Sequence, residues 1–252
     1  MTKTNYLNIM ITGASSGIGR ALAIMLSKQG NRCILIARRI DKLEETLALM
    51  DKTREHILIP FDLLKLDEYN VIYNRLNEEH VVLDGFVHCA GVAPIIPLRV
   101  LSYKAALEVF QCHYFSFIEL VKYYAQKGHN RGGSIVSVSS INAHVPKKCM
   151  TAYSSAKGAV ETASKTLSIE LFEKGIRINT VVIGNVDTEM TQNNTRVVAG
   201  LEETKQKRSL NHNHIVGKPD DVAKVISYLL SEDSSFINGS LVYADGGYFE
   251  IR

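Results

Sequence analysis

Seven short apolar runs alternate along this chain with amphipathic, helix-like segments, and that alternation constrains the fold more than any other feature. The runs are LNIMIT at 7–12, RCILIA at 32–37, ILIPF at 57–61, LDGFVHCAG at 83–91, SIVSVSS at 134–140, IRINTVVIG at 176–184 and SLVYADGGY at 240–248. Short apolar runs bounded by turn residues read as buried strands. Between them lie IGRALAIMLSKQG at 18–30, closed by Gly30, and DKLEETLALM at 41–50, with Asp41 as a candidate N-cap. Then come a mixed helical stretch at 67–80, a long one at 102–126, a third at 152–174, and KPDDVAKVISYLLSED at 218–233. In the 102–126 stretch Leu107, Phe110, Tyr114, Phe117, Val121 and Tyr124 fall near helical spacing and read as core or subunit interface. Pro60 cannot donate to a strand ladder, which places the third run at a strand end or a sheet edge. Repeated strand–helix units with short connections require a mostly parallel sheet covered on both faces. The expected fold is α/β: a doubly wound Rossmann fold with about seven strands. No repeat, low-complexity tract or linker divides the chain, so residues 1–252 read as one domain.

Composition excludes several function classes. Hydrophobic residues at 46% and charged residues at 22% are ordinary for a globular protein. A net charge of +3 is too small to argue for nucleic acid or a membrane surface as partner. No apolar run approaches the roughly 18 residues a membrane span needs. The first strand follows the start of the sequence closely, so no signal peptide is expected. Cys33, Cys89, Cys112 and Cys149 form no CxxC pair and no metal-ligand spacing, so they read as small buried hydrophobes in a reducing compartment. The expected location is cytoplasmic, with no bound metal.

Two stretches carry chemistry. The first is the turn Gly13-Ala14-Ser15-Ser16-Gly17-Ile18-Gly19, placed between a strand and a helix. Glycines let the backbone approach a pyrophosphate, and the N–H groups of a helix start attract its oxygens. The end of the second strand then selects the dinucleotide: an acid there bonds the ribose hydroxyls of NAD, whereas Arg accommodates the 2′-phosphate of NADP. This chain has Arg38 and Arg39 and no acid before Asp41, which favours NADP(H) over NAD(H).

The second stretch, Ser140 to Lys157, places a hydroxyl at a strand end and a Tyr-x-x-x-Lys pair on the helix that follows. One helical turn brings Tyr153 and Lys157 to about 5–6 Å at Cβ. An ammonium nearby favours the phenolate and should lower the phenol's pKa toward neutrality, where a general acid–base group is efficient. Such pairs also arise by chance; a second, Tyr123 and Lys127, lacks a hydroxyl-ended strand before it and reads as a helix surface.

With these residues in view, the chain resembles the classical short-chain dehydrogenase/reductase family over essentially its whole length, nearest to the 3-oxoacyl-[acyl-carrier-protein] reductase-like group. TGASSGIG at 12–19 looks like the family's cofactor turn, and Ser140, Tyr153 and Lys157 match its catalytic residues in order and spacing. The resemblance further implies cofactor contacts at Asp62 and Leu63, at Cys89-Ala90-Gly91 beneath the cofactor, and at Val186 and Thr188 beside the nicotinamide, with Asp245-Gly246-Gly247 as the closing motif. It implies an NADP(H)-dependent oxidoreductase acting on a small carbonyl or secondary alcohol, a 3-oxoacyl thioester being one candidate, assembled as a dimer or tetramer. Tyr153 would deliver the proton, and Lys157 would tune it and hold the nicotinamide ribose.

Three positions depart from the family pattern. His113 stands where the family has a kinked Asn; it reads either as a catalytic substitute able to titrate near neutral pH or as a satisfied core histidine. Ile183-Gly184 replaces Pro-Gly, which should loosen the segment carrying Thr188, and His88-Cys89 replaces an Asn pair. Residues 188–217 read as a substrate lid. Lys127, Arg131 and Lys174 are candidates for a basic rim that docks an acyl carrier protein; scattered solvated charge is the alternative. The rival to an enzyme is an NADP-binding regulatory or scaffold protein of the same fold. His113 and Ile183 favour it, and the intact Ser140, Tyr153 and Lys157 oppose it.

Overall fold

The computed structural model describes residues 6–192 and 216–248. Its strands are β1 (Asn8–Thr12), β2 (Arg32–Ala37), β3 (Ile57–Pro60), β4 (Leu83–His88), β5 (Asn130–Ser140), β6 (Ile176–Ile183) and β7 (Leu241–Ala244). They form one sheet in the order β3-β2-β1-β4-β5-β6-β7, with every neighbouring pair parallel. The doubly wound arrangement expected from the strand–helix alternation is the one found. Pro60 is the last residue of an edge strand, where its missing N–H costs no ladder bond.

Successive strand residues point to opposite faces, so both faces carry apolar rows. Met10, Ile34, Ile36, Phe86, Ile135 and Ile178 lie on one face, and Ile9, Ile11, Leu35, Val87, Val136 and Val181 on the other. The first face is covered by α3 (Asn70–Glu78), α5 (Ser116–Tyr124) and α6 (Thr151–Glu170), through Ile72, Leu120 and Val160. The second is covered by α1 (Gly17–Lys28), α2 (Ile40–Ala48) and α7 (Pro219–Leu230), through Leu22, Leu43 and Ile226. Each such side chain contributes about 1.5–3 kcal/mol by leaving water.

Local differences from the sequence reading have local causes. The 102–126 segment is not one helix: α4 (Tyr103–Phe110) and α5 are joined by a π-helical turn, Gln111–Phe115, that carries His113. The 67–80 stretch divides into a 3₁₀ turn, Leu66–Glu68, and α3. Arg39, not Asp41, occupies the cap of α2, and Asp41 lies in its first turn, where its charge still favours the helix dipole. Tyr123 is not on a helix surface. It is buried, and its ring stacks on Tyr73 at 4.2 Å, while α5 ends before Lys127. All four cysteines are free; Cys33 and Cys112 are buried, Cys89 and Cys149 half-buried.

Because all strands run one way, their C-terminal ends share one edge, and the order reverses direction between β1 and β4. Crevices at that switch point are where open α/β sheets bind ligands. The proposed carrier rim lies at the opposite edge. Arg131 pairs with Asp84 at 3.1 Å at the starts of β5 and β4, and Lys174 Nζ donates to Ala125 O at 2.9 Å before β6. Among the described residues, no helix is long and apolar enough to cross a membrane, and no His/Cys/Asp/Glu group is placed to hold a metal.

Candidate active site

The turn after β1 is tight for a reason visible atom by atom. Gly13 has φ +69°, and a Cβ there would come within 2.8 Å of Ala90 N; one on Gly19 would meet Gly13 O at 2.5 Å. Helix α1 starts at Gly17 after an extended Ser16 that makes no side-chain cap, and its first turn holds no acid. Its first N–H groups are therefore left without a side-chain cap, an arrangement suited to an anionic group such as a pyrophosphate. Ser15 and Ile18 are buried beneath this turn, and a Cβ on Gly17 would lie 3.2 Å from Thr188 Cγ2.

The other sequence-predicted cofactor residues gather along the same edge. Arg38 and Arg39 are exposed at the end of β2, and Arg39 pairs with Glu189 at 3.4 Å. Half-buried Asp62 accepts from Leu64 N at 3.1 Å, beside buried Leu63. Cys89, Ala90 and Gly91 leave β4 directly below Gly13, and Ala90 N donates to Thr12 Oγ1 at 3.2 Å. Buried Val186 bridges Gly217, and Asp187 N donates to Gly217 O at 2.8 Å, which pins the two ends of the 188–217 stretch together. Residues 193–215 of that stretch fall outside the described residues. Thr188 Oγ1 accepts from Thr191 N at 3.3 Å and so starts a helical turn. Ile183 pairs in register with both Ser140 and Ala244.

Ser140, Tyr153 and Lys157 are brought together as their spacing predicts. Ser140 ends β5, its Oγ accepts from Asn142 N at 3.2 Å, and its hydroxyl lies near enough to the Tyr153 phenol to favour the ionised form. Lys157 Nζ lies 5.8 Å from the Tyr153 ring centroid and donates to Val138 O at 2.6 Å. The electrostatics correct one expectation. Burial pushes the Tyr153 pKa up, and the nearby Ser140 hydroxyl offsets this only in part. Burial also pulls Lys157 down to about 8. An ammonium that is itself costly to desolvate, and is already bonded to a carbonyl, does not outweigh the burial of the phenol.

His113 is buried on the π turn with its ring edge-on to Tyr153, centroids 5.5 Å apart. Its Nε2 faces both Val92 N at 3.1 Å and Val92 O at 2.8 Å, and its Nδ1 has no partner. It does not titrate near neutral pH: burial, reinforced by Lys157, holds its pKa well below the ordinary value. His88 is likewise neutral, pulled down to about 3 by burial. A directional chain explains how it is satisfied. Ala90 N donates to Thr12 Oγ1, Thr12 faces His88 Nδ1 at 3.0 Å, His88 Nε2 faces Ser116 Oγ at 3.4 Å, and Ser116 donates to Cys112 O at 2.7 Å. Cys89 is held up at about 12 by burial, so its thiol stays protonated.

Sequence reasoning missed a second buried cluster. Glu161 accepts from Ser139 Oγ at 2.5 Å and pairs with His144 at 3.0 Å, tying the loop after Ser140 to α6. Its position four residues after Lys157 was the available signal; His144 offered none. Asn142 was also missed. It is 8% exposed, its Nδ2 meets only the Met150 sulfur at 3.6 Å, and its Oδ1 has no partner.

Known proteins resemble this chain over nearly its whole length. Residues 13–249 match the family described as Enoyl-(Acyl carrier protein) reductase. The chain is 29% identical over 247 residues to the 3-oxoacyl-[acyl-carrier-protein] reductase of Thermotoga maritima, covering 94% of this chain and 96% of the relative. Among solved structures, 4-hydroxyisoleucine dehydrogenase complexed with NADH superposes with a TM-score of 0.86 at 24% identity, over 98% of this chain and 100% of that one. L-Sorbose reductase from Gluconobacter frateurii, complexed with NADPH and L-sorbose, gives 0.86 at 23% identity over 98% of each chain.

Proposed function

This chain belongs to the short-chain dehydrogenase/reductase family, and from that premise we propose that it is an NADP(H)-dependent oxidoreductase interconverting a small carbonyl and its secondary alcohol. The observation that carries the reading is the convergence of Ser140, Tyr153 and Lys157 at the sheet edge that also holds the 13–19 turn. The turn and the N-terminus of α1 would hold the coenzyme phosphates, Asp62 and Leu63 its adenine end, and Cys89 to Gly91, Val186 and Thr188 its nicotinamide end. Arg38 and Arg39, with no acid at the end of β2, favour the 2′-phosphate of NADP. Bound there, the coenzyme supplies the hydride.

The protein supplies orientation and a proton. Ser140 holds the carbonyl oxygen, Tyr153 delivers the proton to it, and Lys157 stabilises the charge that then develops on the phenol oxygen. The Val186–Gly217 bridge brings together the two ends of the stretch expected to cover the substrate, whose residues 193–215 lie outside the described residues. A 3-oxoacyl thioester is one candidate substrate, although a carrier protein would dock elsewhere than at Arg131 and Lys174. Exposed Ile169, Phe172 and Phe236 support a homodimer or tetramer. The setting is the cytoplasm.

A second reading, a coenzyme-binding regulatory protein with little turnover, is favoured by the raised Tyr153 pKa and by His113. One experiment separates the two. NADPH and NADH oxidation is followed with acetoacetyl thioesters, hydroxyketones and simple ketones, in the parent and in Tyr153→Phe. The enzyme reading requires turnover on at least one class, lowered about 10²–10⁴-fold by the substitution while NADPH binding persists. Turnover within tenfold of the parent refutes the role of Tyr153. Heat protection by NADPH without turnover selects the second reading.

A further inference from the structure

Buried side-chain polar atoms almost always find partners, so each exception calls for a cause. Among the described residues four such atoms have none: Asn8 Oδ1, His113 Nδ1, Asn142 Oδ1 and Ser154 Oγ. Asn8 lies at the start of β1, at the far edge of the sheet, and its amide nitrogen is satisfied by Val82 O at 2.8 Å. Asn142 is placed differently. Its backbone N–H donates to Ser140 Oγ at 3.2 Å, and its side chain touches Met150, which packs against Tyr153. Its backbone is therefore bonded to one of the hydroxyls assigned to the carbonyl oxygen, and its side chain touches Met150, which shares a buried cluster with the residue that carries the other.

The chemistry of the amide narrows what it could receive. A thioether sulfur is a weak acceptor. Whichever way the amide is turned, one end faces the Met150 sulfur and the other faces no protein group. A hydroxyl satisfies either orientation, because it donates to the oxygen or accepts from the nitrogen. A hydrocarbon satisfies neither, and a thioester, with acceptors only, can accept from the nitrogen but cannot meet Oδ1.

We propose that Asn142 is a substrate-recognition residue that receives a hydroxyl on a carbon neighbouring the reacting carbonyl, so that the preferred substrates are α-hydroxy ketones and the vicinal diols formed from them. This rests on the oxidoreductase reading and narrows its substrate class. A site built to bond a hydroxyl discriminates against the analogue that lacks it, because the buried amide is then left unpaired.

The test compares 2-hydroxycyclohexanone with cyclohexanone on the parent and on Asn142→Leu, which keeps side-chain volume and removes the amide. Binding is read from ligand-induced shifts in melting temperature, with and without NADP⁺, and catalysis from kcat/KM. The expected result is that the parent binds and reduces the hydroxyketone at least about tenfold better, and that the substitution brings the ratio to within about twofold. Equal treatment of the two ketones by the parent overturns the proposal without any variant, as does a preference that survives Asn142→Leu; either would make Asn142 a structural residue satisfied by water. Preferential binding with no turnover of any carbonyl removes the oxidoreductase reading and keeps the subsite. Turnover of simple ketones or thioesters with no hydroxyl preference does the reverse.

Discussion

The imidazole of His113 fills the space that a side chain on Gly91 would need: a Cβ built on Gly91 overlaps His113 Cε1 and lies 3.1 Å from Nδ1. The absence of a side chain after β4 and the presence of a ring on the π turn are one packing solution. Tyr153 meets the same ring edge-on, with centroids 5.5 Å apart.

Gly91→Ala should therefore destabilise the parent by about 1–3 kcal/mol, the usual cost of overpacking. In a His113→Ala background the same change should cost almost nothing, since the obstructing ring is gone. Denaturant titration of the two single variants and the double variant measures the coupling. Equal costs in both backgrounds would show that Gly91 is required for something other than the ring.

Stability should fall on mild acidification, before carboxylates protonate. His88 is neutral in the fold, with its pKa lowered from 6.5 to about 3, so the unfolded chain binds a proton that the folded protein does not between those values. A group of this sign withdraws stability as pH drops through that window. His113 acts in the same direction. The lowered carboxylates Glu45 and Asp51 reinforce the trend only below their ordinary values of 4.5 and 3.8. The melting temperature should begin to decline near pH 6.5, and His88→Asn should flatten that decline. A flat profile from pH 6.5 to 5 in the parent would contradict the buried neutral state.

Arg39 is shared. Glu189, 150 residues away in sequence, pairs with the same guanidinium proposed to meet the 2′-phosphate of NADP. Both side chains are about half exposed, so the pair is weak and screened by salt. Glu189→Ala should raise the NADPH-to-NADH ratio of kcat/KM by about two- to fivefold, most at low ionic strength. An unchanged or lowered ratio would detach Arg39 from coenzyme choice.

The parts of the site legible in the sequence were those fixed by local spacing. The 13–19 turn follows from glycines at a strand–helix junction, and Tyr153 beside Lys157 follows from one helical turn. Ser140 follows from its place at a strand end before a short loop. The charge states were not legible. A helical wheel places an ammonium near a phenol, but only the packed protein shows that Lys157 is bonded to Val138 O and that burial dominates both groups.

The sequence alone determined the sheet and its winding. Alternating apolar periods and parallel connections admit few other arrangements. Only the tertiary structure decided that His113 is buried and neutral against Gly91, that Glu161 joins Ser139 to His144, and that Asn142 is left with an unpaired amide oxygen. These depend on contacts between residues from separate elements. Whether a polar group is satisfied, and what its burial costs, is set by neighbours that no periodicity in the chain encodes.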